Sequence, residues 1–169
     1  SSSAMKIGMH RNFPDVVEYL LVNGIRSDIL ECRSLEMLQL LVLYGADIHH
    51  RNESGMTILF SSLYDSHEQQ KMRTCALSCG VDINAASIYL GTALHKAAMS
   101  GDAPTVRDLC YANASISTLD PSGHTPLQVA MKWYSQRFNC WVGDPPSHTN
   151  KAETLKILSE EPLRRSNLY

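Results

Sequence analysis

Gly91-Thr92-Ala93-Leu94-His95-Lys96-Ala97-Ala98-Met99-Ser100-Gly101 and Gly123-His124-Thr125-Pro126-Leu127-Gln128-Val129-Ala130-Met131 are two readings of one pattern. Thr92 falls on Thr125 and Leu94 on Leu127, each 33 residues on. A period of this length marks a chain built from repeated supersecondary units. A second landmark is a hydrophobic helix closed by Gly or Asn and a short polar stretch. It occurs from Val16 to Gly24, from Met37 to Gly45-Ala46-Asp47-Ile48, at Gly80-Val81-Asp82-Ile83-Asn84 and at Asn113-Ala114-Ser115-Ile116. The landmark positions 24, 45, 80 and 113 are spaced 21, 35 and 33.

Before each landmark the apolar residues fall on one helical face. They are Val17, Leu20 and Leu21, then Leu38, Leu41 and Val42, then Val106, Leu109 and Cys110. That spacing is one side of a 3.6-residue period. The landmark itself stands where a helix ends in a left-handed residue, a conformation that Gly and Asn tolerate. Thr92 and Thr125 precede the next helix, where a hydroxyl accepts from unpaired first-turn N–H groups. Pro126 follows as a first-turn residue whose missing N–H costs nothing.

The period and the T-P-L-H-like motifs resemble the ankyrin repeat, closely over 91–131 and recognisably over 37–60 and 80–90. The resemblance implies an all-α solenoid of stacked helix–turn–helix units with extended fingers, a single domain over 1–169. Five degenerate units fit: 4–26, 27–47, 55–83, 91–116 and 123–161. Met5 takes the Leu place of the first and Lys6 its His place. The second is about twelve residues short, so the finger between the first two units is expected to be absent or reduced to a tight turn through Arg26-Ser27-Asp28. The last unit carries an insertion at 133–150.

Departures from the pattern concentrate in the third unit. Ile58 stands where Pro is usual, Phe60 where His is usual, and Arg73 occupies a core position of the second helix. The fourth finger reads Ala86-Ser87-Ile88-Tyr89-Leu90 without the usual Asp, and only His95 keeps the signature His. The resemblance assigns His95 to hydrogen bonding between repeats, not to catalysis. Val16, Val17, Leu20, Leu21 and Val22 leave the second helix of the first unit little polar surface, unlike a terminal cap. That points to a fragment of a longer protein or to a partner contact there.

Partners of ankyrin-like domains lie across the concave face, on finger tips and the outward side of first helices. Carried over by position, the resemblance implicates Asn52, Glu53, Met56, Tyr64 and Asp65 in the third unit. It implicates Tyr89, Leu90, Lys96, Met99 and Ser100 in the fourth, and His124, Lys132 and Trp133 in the fifth. Tyr89, Leu90, Met99 and Trp133 form an apolar, aromatic stripe of interface composition. The competing use of these side chains is packing between fingers and core. The insertion holds both tryptophans, Tyr134 and Phe138, unlike a disordered linker. Val129 to Phe138 is expected to prolong the helix, with Gly143-Asp144-Pro145-Pro146 turning back and Trp141 and Phe138 capping the core. Direct ligand contact is its alternative role.

Composition narrows the function further. With 15 basic and 17 acidic residues in 169, no positive excess drives phosphate-backbone binding, so nucleic acid is not an expected partner. No apolar run reaches the roughly 18–20 residues that cross a membrane. The five cysteines, Cys32, Cys75, Cys79, Cys110 and Cys140, are odd in number and form no CxxC framework, which suits a reducing compartment. Cys110 reads as a core thiol. Cys75 and Cys79 share a helical face but lack the four ligands of a structural zinc site, so no metal or cofactor is expected. His49 and His50 point to opposite sides of an extended segment and do not chelate together.

No G-x-S-x-G, H-E-x-x-H, Gly-rich phosphate loop or paired CxxC occurs, so no enzyme and no small-molecule substrate is expected. The expected function is a non-enzymatic protein–protein interaction module, intracellular (cytoplasmic or nuclear), within a larger regulatory or adaptor protein. It takes a protein or peptide on its concave face. Glu53, Asp65, Asp102 and Asp120 suit a basic peptide. A passive spacer in a larger solenoid is one alternative, and a Cys- or metal-dependent enzyme is another.

Overall fold

The structure is a computed structural model that describes residues 2–25, 29–63, 66–138 and 148–166. Tyr64, Asp65, the turn 26–28, Trp141 and the segment 143–146 lie outside the described residues. The chain is mostly helical and falls into two compact units, Ser1–Asp82 and Ile83–Tyr169.

The first unit holds helices α1 (Ser2–Arg11), α2 (Pro14–Val22), α3 (Leu35–Leu43), α4 (Ile58–Ser61) and α5 (His67–Ser78), with a 3-10 turn at Ile29–Glu31. Helix α1 packs on α2, α2 on α3, and α3 on α5. The second holds a hairpin of β1 (Ala86–Ser87) and β2 (Gly91–Thr92). Helices α6 (Ala93–Ser100), α7 (Ala103–Tyr111), α8 (Pro126–Phe138) and α9 (His148–Ser166) follow it. Helix α6 packs on α7 and α8, and α9 closes against both of those.

Four landmarks end their helices as their chemistry requires. Gly24, Gly45 and Gly80 have φ of 77°, 78° and 77°, and Asn113 has 63°. After each, the chain folds back so that the next N–H reaches a carbonyl of the last turn: Ile25 to Leu20, Ala46 to Leu41, Val81 to Ala76 and Ala114 to Leu109. Helices α3, α5 and α7 begin on a polar cap, whereas α2 starts at Phe13 without one. Ser34 accepts from Met37 N at 3.3 Å, Ser66 from Gln69 N at 3.2 Å and Asp102 from Thr105 N at 3.0 Å. Neighbours are stitched at the same level, since Glu68 Oε1 accepts from Leu35 N at 2.7 Å.

The cores follow the apolar spacing. Val17, Leu38, Leu41, Met72 and Ala76 are buried in the first unit, and Leu94, Val106, Leu109 and Cys110 in the second. Leu20, Leu21 and Val42 are half-buried. Burying a Leu or Val side chain of this kind contributes about 1.5–3 kcal/mol.

One expectation changes. The shortfall of the second repeat is not confined to its finger. Its first helix is itself reduced, since Ile29–Glu31 is the only helical element between Gly24 and Ser34 among the described residues. The fourth finger, expected to be extended, is so: it pairs Ala86 with Thr92 and Ser87 with Gly91 in a two-stranded antiparallel hairpin within an otherwise helical unit.

The third repeat shows what its departures cost. In the fourth, Thr92 N–H donates to His95 Nδ1 at 3.1 Å, and Thr92 Oγ1 lies 2.8 Å from the same nitrogen. In the fifth, Gln128 takes over: its Oε1 accepts from Thr125 N at 2.8 Å, while Thr125 Oγ1 accepts from Gln128 N at 3.3 Å. In the third, Phe60 offers no polar atom, and the Thr57 hydroxyl is buried without a partner. Helix α4 is only four residues long. Arg73 reaches back across this weak point: its buried guanidinium donates through Nη1 to Ser62 O at 3.1 Å, at the C-cap of α4.

A buried hydroxyl without a partner is destabilising, and its removal relieves a desolvation cost. Thr57→Val is therefore expected to leave the midpoint of urea unfolding unchanged or raised. Thr92→Val is expected to lower stability by about 1 kcal/mol. Equal losses in both variants would show that the two hydroxyls are equivalent.

Candidate interaction surface

The hairpin decides where the candidate aromatic residue goes. Ser87 is buried, and its hydroxyl accepts from Tyr89 N at 3.2 Å, which shapes the loop Ile88-Tyr89-Leu90. Gly91 closes the loop at φ +69°, and a Cβ there would stand 2.9 Å from Asp120 Cβ and 3.0 Å from His95 Cγ. Only glycine satisfies both the backbone and the space. Ile88 and Tyr89 are thereby held outward, 58 % and 71 % exposed. Leu90 is half-buried.

Behind the hairpin lies a buried hub. The Thr92 N–H donates to His95 Nδ1, so Nδ1 carries no proton and Nε2 carries it. Nε2 then donates to His124 O at 3.0 Å and ties the cap of α6 to the next finger. That finger is shaped by Asp120, whose Oδ1 accepts from Ser122 N and His124 N, each at 2.8 Å. Burial pushes the His95 imidazole below its ordinary value, although the His124 carbonyl and the Asp120 charge favour protonation. Burial works against the Asp120 charge too, yet the His124 and Ser122 amides hold its carboxyl below the usual range.

Helices α6 and α8 carry the rest of the second unit's candidates. Lys96 is half-buried, and that burial pushes its amine below the ordinary lysine value. Ser100 is exposed and donates to Ala97 O at 3.0 Å. Lys132 is exposed and Trp133 is 44 % exposed. Met99 is half-buried and meets Trp133 along a shallow cleft with Ala130, Tyr134 and Lys151. The cleft holds about 20 Å³, room for roughly one water.

The third-repeat candidates are placed in the first unit. Glu53 is exposed and Met56 half-buried. Asn52 Oδ1 accepts from Ser54 N and Met56 N, each at 3.0 Å, so its side chain shapes a turn as Asp120 does. His124 likewise shapes the fifth finger: its amide donates to Asp120 Oδ1 and its carbonyl accepts from Asp120 N. The structure thus joins Met99 to Trp133 and separates turn formers from outward side chains.

The sequence reading passed over three surface features. Ile88 extends the exposed tip beside Tyr89, and Met131 is exposed on α8. Tyr111 is capped by the Arg164 guanidinium, 4.1 Å from its ring centre. Alternation in the fourth finger was the available signal for Ile88. Of the apolar residues expected to leave α2 little polar surface, Val16 and Val22 are exposed and Val17 is buried; Ile7 on α1, Phe13 before α2 and Tyr19 on α2 are exposed beside them.

His49 and His50 are exposed. Among the described residues no three or more His, Cys, Asp or Glu converge as a metal site. No helix among them is long and apolar enough to cross a membrane. No family model matches the chain.

The hub makes stability depend on pH. The folded state holds the His95 proton less tightly than the unfolded chain, whose reference value is 6.5. Unfolding therefore takes up a proton in the window just below 6.5, and stability falls as pH drops through it. Above that window the contribution is fully present. The Asp120 contribution is lost only in more acid solution, as pH falls from 3.8 towards its lowered folded value. His95→Gln, which copies the cap made by Gln128, is expected to fold and to flatten the slope between pH 7 and the lowered folded value. Urea titrations of both proteins across this range measure it; an unchanged slope removes His95 as the source.

Proposed function

We propose that the chain is a stack of five degenerate ankyrin-like repeats. It serves as a non-enzymatic interaction module inside the cell, cytoplasmic or nuclear, as part of a larger regulatory or adaptor protein. Its guest is a protein or peptide.

One observation carries the reading. Two large apolar side chains, Ile88 and Tyr89, are presented on a loop whose base is hydrogen-bonded and whose closing glycine is sterically fixed. Exposed aromatic residues on an ordered support lose little entropy on contact, which is the property of an interface anchor. Met99 and Trp133 add an apolar cleft in the same unit. A second surface, the exposed apolar side of α1 and α2 with Tyr19 68 % exposed, is the competing place for a partner.

Affinity capture from lysate compares the wild type with Tyr89→Ala/Met99→Ala/Trp133→Ala, both with intact helical circular dichroism. A protein retained by the wild type, and at least about tenfold reduced by the triple variant, supports the module and its site. Equal retention moves the site to α1 and α2. No retention by either favours a structural spacer.

A further inference from the structure

We propose, resting on the interaction-module reading of the second unit, that the outward face of α6 and α8 receives an acidic peptide segment with an aromatic residue at its centre. Lys96, Lys132 and Lys151 hold its carboxylates around the Met99–Trp133 cleft. Helix α6 leaves only Lys96, Met99 and Ser100 accessible, and every other residue in it is buried. Their spacing of i, i+3 and i+4 is one face of a helix. One 33-residue period on, Lys132 takes the place of Met99 and Trp133 that of Ser100, both exposed on α8. Helix α6 packs on α8, and Met99 and Trp133 line one cleft, so the two faces are continuous. Lys151 of α9 lines the same cleft. Its stem lies over Gly101, where a Cβ would stand 2.6 Å from Lys151 Cγ, so a side chain at 101 would displace it.

Charge selects the guest. Neither α6 nor α8 contains an Asp or a Glu. The carboxylates that flank them in sequence are turned to the chain's own donors. Asp102 accepts from Thr105 N at 3.0 Å and from the Thr105 hydroxyl, as the cap of α7. Asp120 accepts from the Ser122 and His124 amides. Glu153, two residues after Lys151, is ion-paired with Arg107 on α7. The face is therefore locally cationic in a chain whose net charge is −2. Its attraction for carboxylates belongs to this place and not to the protein as a whole.

Shape selects the pattern within it. The cleft is too small to swallow a side chain, so an aromatic ring lies across Met99 and Trp133 rather than entering between them. Indole rings and thioethers both favour such contact. On an extended segment, side chains two apart point the same way and stand about 7 Å apart. Lysine stems on helices packed about 8–10 Å apart reach over that distance. The matching sequence is acidic, any, aromatic, any, acidic. Nucleic acid shares the negative charge and the rings, but it is favoured by a basic track along the backbone, and this chain has no basic excess.

The test selects a phage-displayed library of random short peptides on the immobilised full chain. Selected sequences are expected to place Asp or Glu on both sides of an aromatic residue. The best is then labelled and titrated by fluorescence anisotropy. Lys96→Gln/Lys132→Gln/Lys151→Gln is expected to weaken it at least about tenfold, and added salt to weaken it further. Lys6→Gln/Arg33→Gln/Lys71→Gln removes the same charge at exposed places in the first unit and is expected to leave binding unchanged. Circular dichroism confirms the fold of each variant. Undiminished binding by the first triple variant, or a single-stranded oligonucleotide bound more tightly than the peptide, overturns the acidic guest. Neutral or basic peptides that still depend on Met99 and Trp133 overturn it too, yet leave the interaction module standing. A library that yields no peptide also overturns it, and the lysate capture then decides the module separately.

Discussion

The contact between the Thr92 amide and His95 holds the second unit together. A helix start leaves unpaired N–H groups, and in α6 they sit in a buried place where water cannot serve them. His95 accepts from the Thr92 amide through one ring nitrogen and donates to the following finger through the other. One side chain therefore satisfies a helix cap and sets the distance to the next repeat. Gly91 has to be glycine because that imidazole and Asp120 occupy the space beside it. The outward placing of Tyr89 follows from the same packing.

Much of the fold was legible because the constraints that write it are local. A left-handed helix end admits few residue types, and residues 24, 45, 80 and 113 show it without any knowledge of neighbours. Pro126 at the first turn and Thr125 as a cap are equally local. The features that escaped depend on partners distant in the chain. Arg73 looked like a polar intruder until Ser62 O appeared beside its guanidinium. The first helix of the second repeat shrinks to Ile29–Glu31, yet spacing alone reports only a missing length.

The candidate surface was less legible, for a chemical reason. Asn52, His124 and Asp120 have the polar groups that a partner contact uses and that a turn uses. Composition does not separate the two roles; the directions of the Ser54, Met56, Ser122 and His124 amides do. Tyr89 was recognisable because a large aromatic residue in a finger has little structural work to perform.

The division of the chain between Asp82 and Ile83 bears on how the protein is made. In the first unit α1 and α2 close within about twenty residues, and α3 and α5 pair across little more than one repeat. Such short-range topology folds fast. A ribosome adding about 5–20 residues per second has joined Val17, Leu38, Leu41, Met72 and Ala76 to the chain before it reaches His95. The residues of the first core are all in the chain while the second still lacks its histidine hub. Synthesis order and packing order coincide, and the nascent apolar surface is covered in instalments rather than all at once.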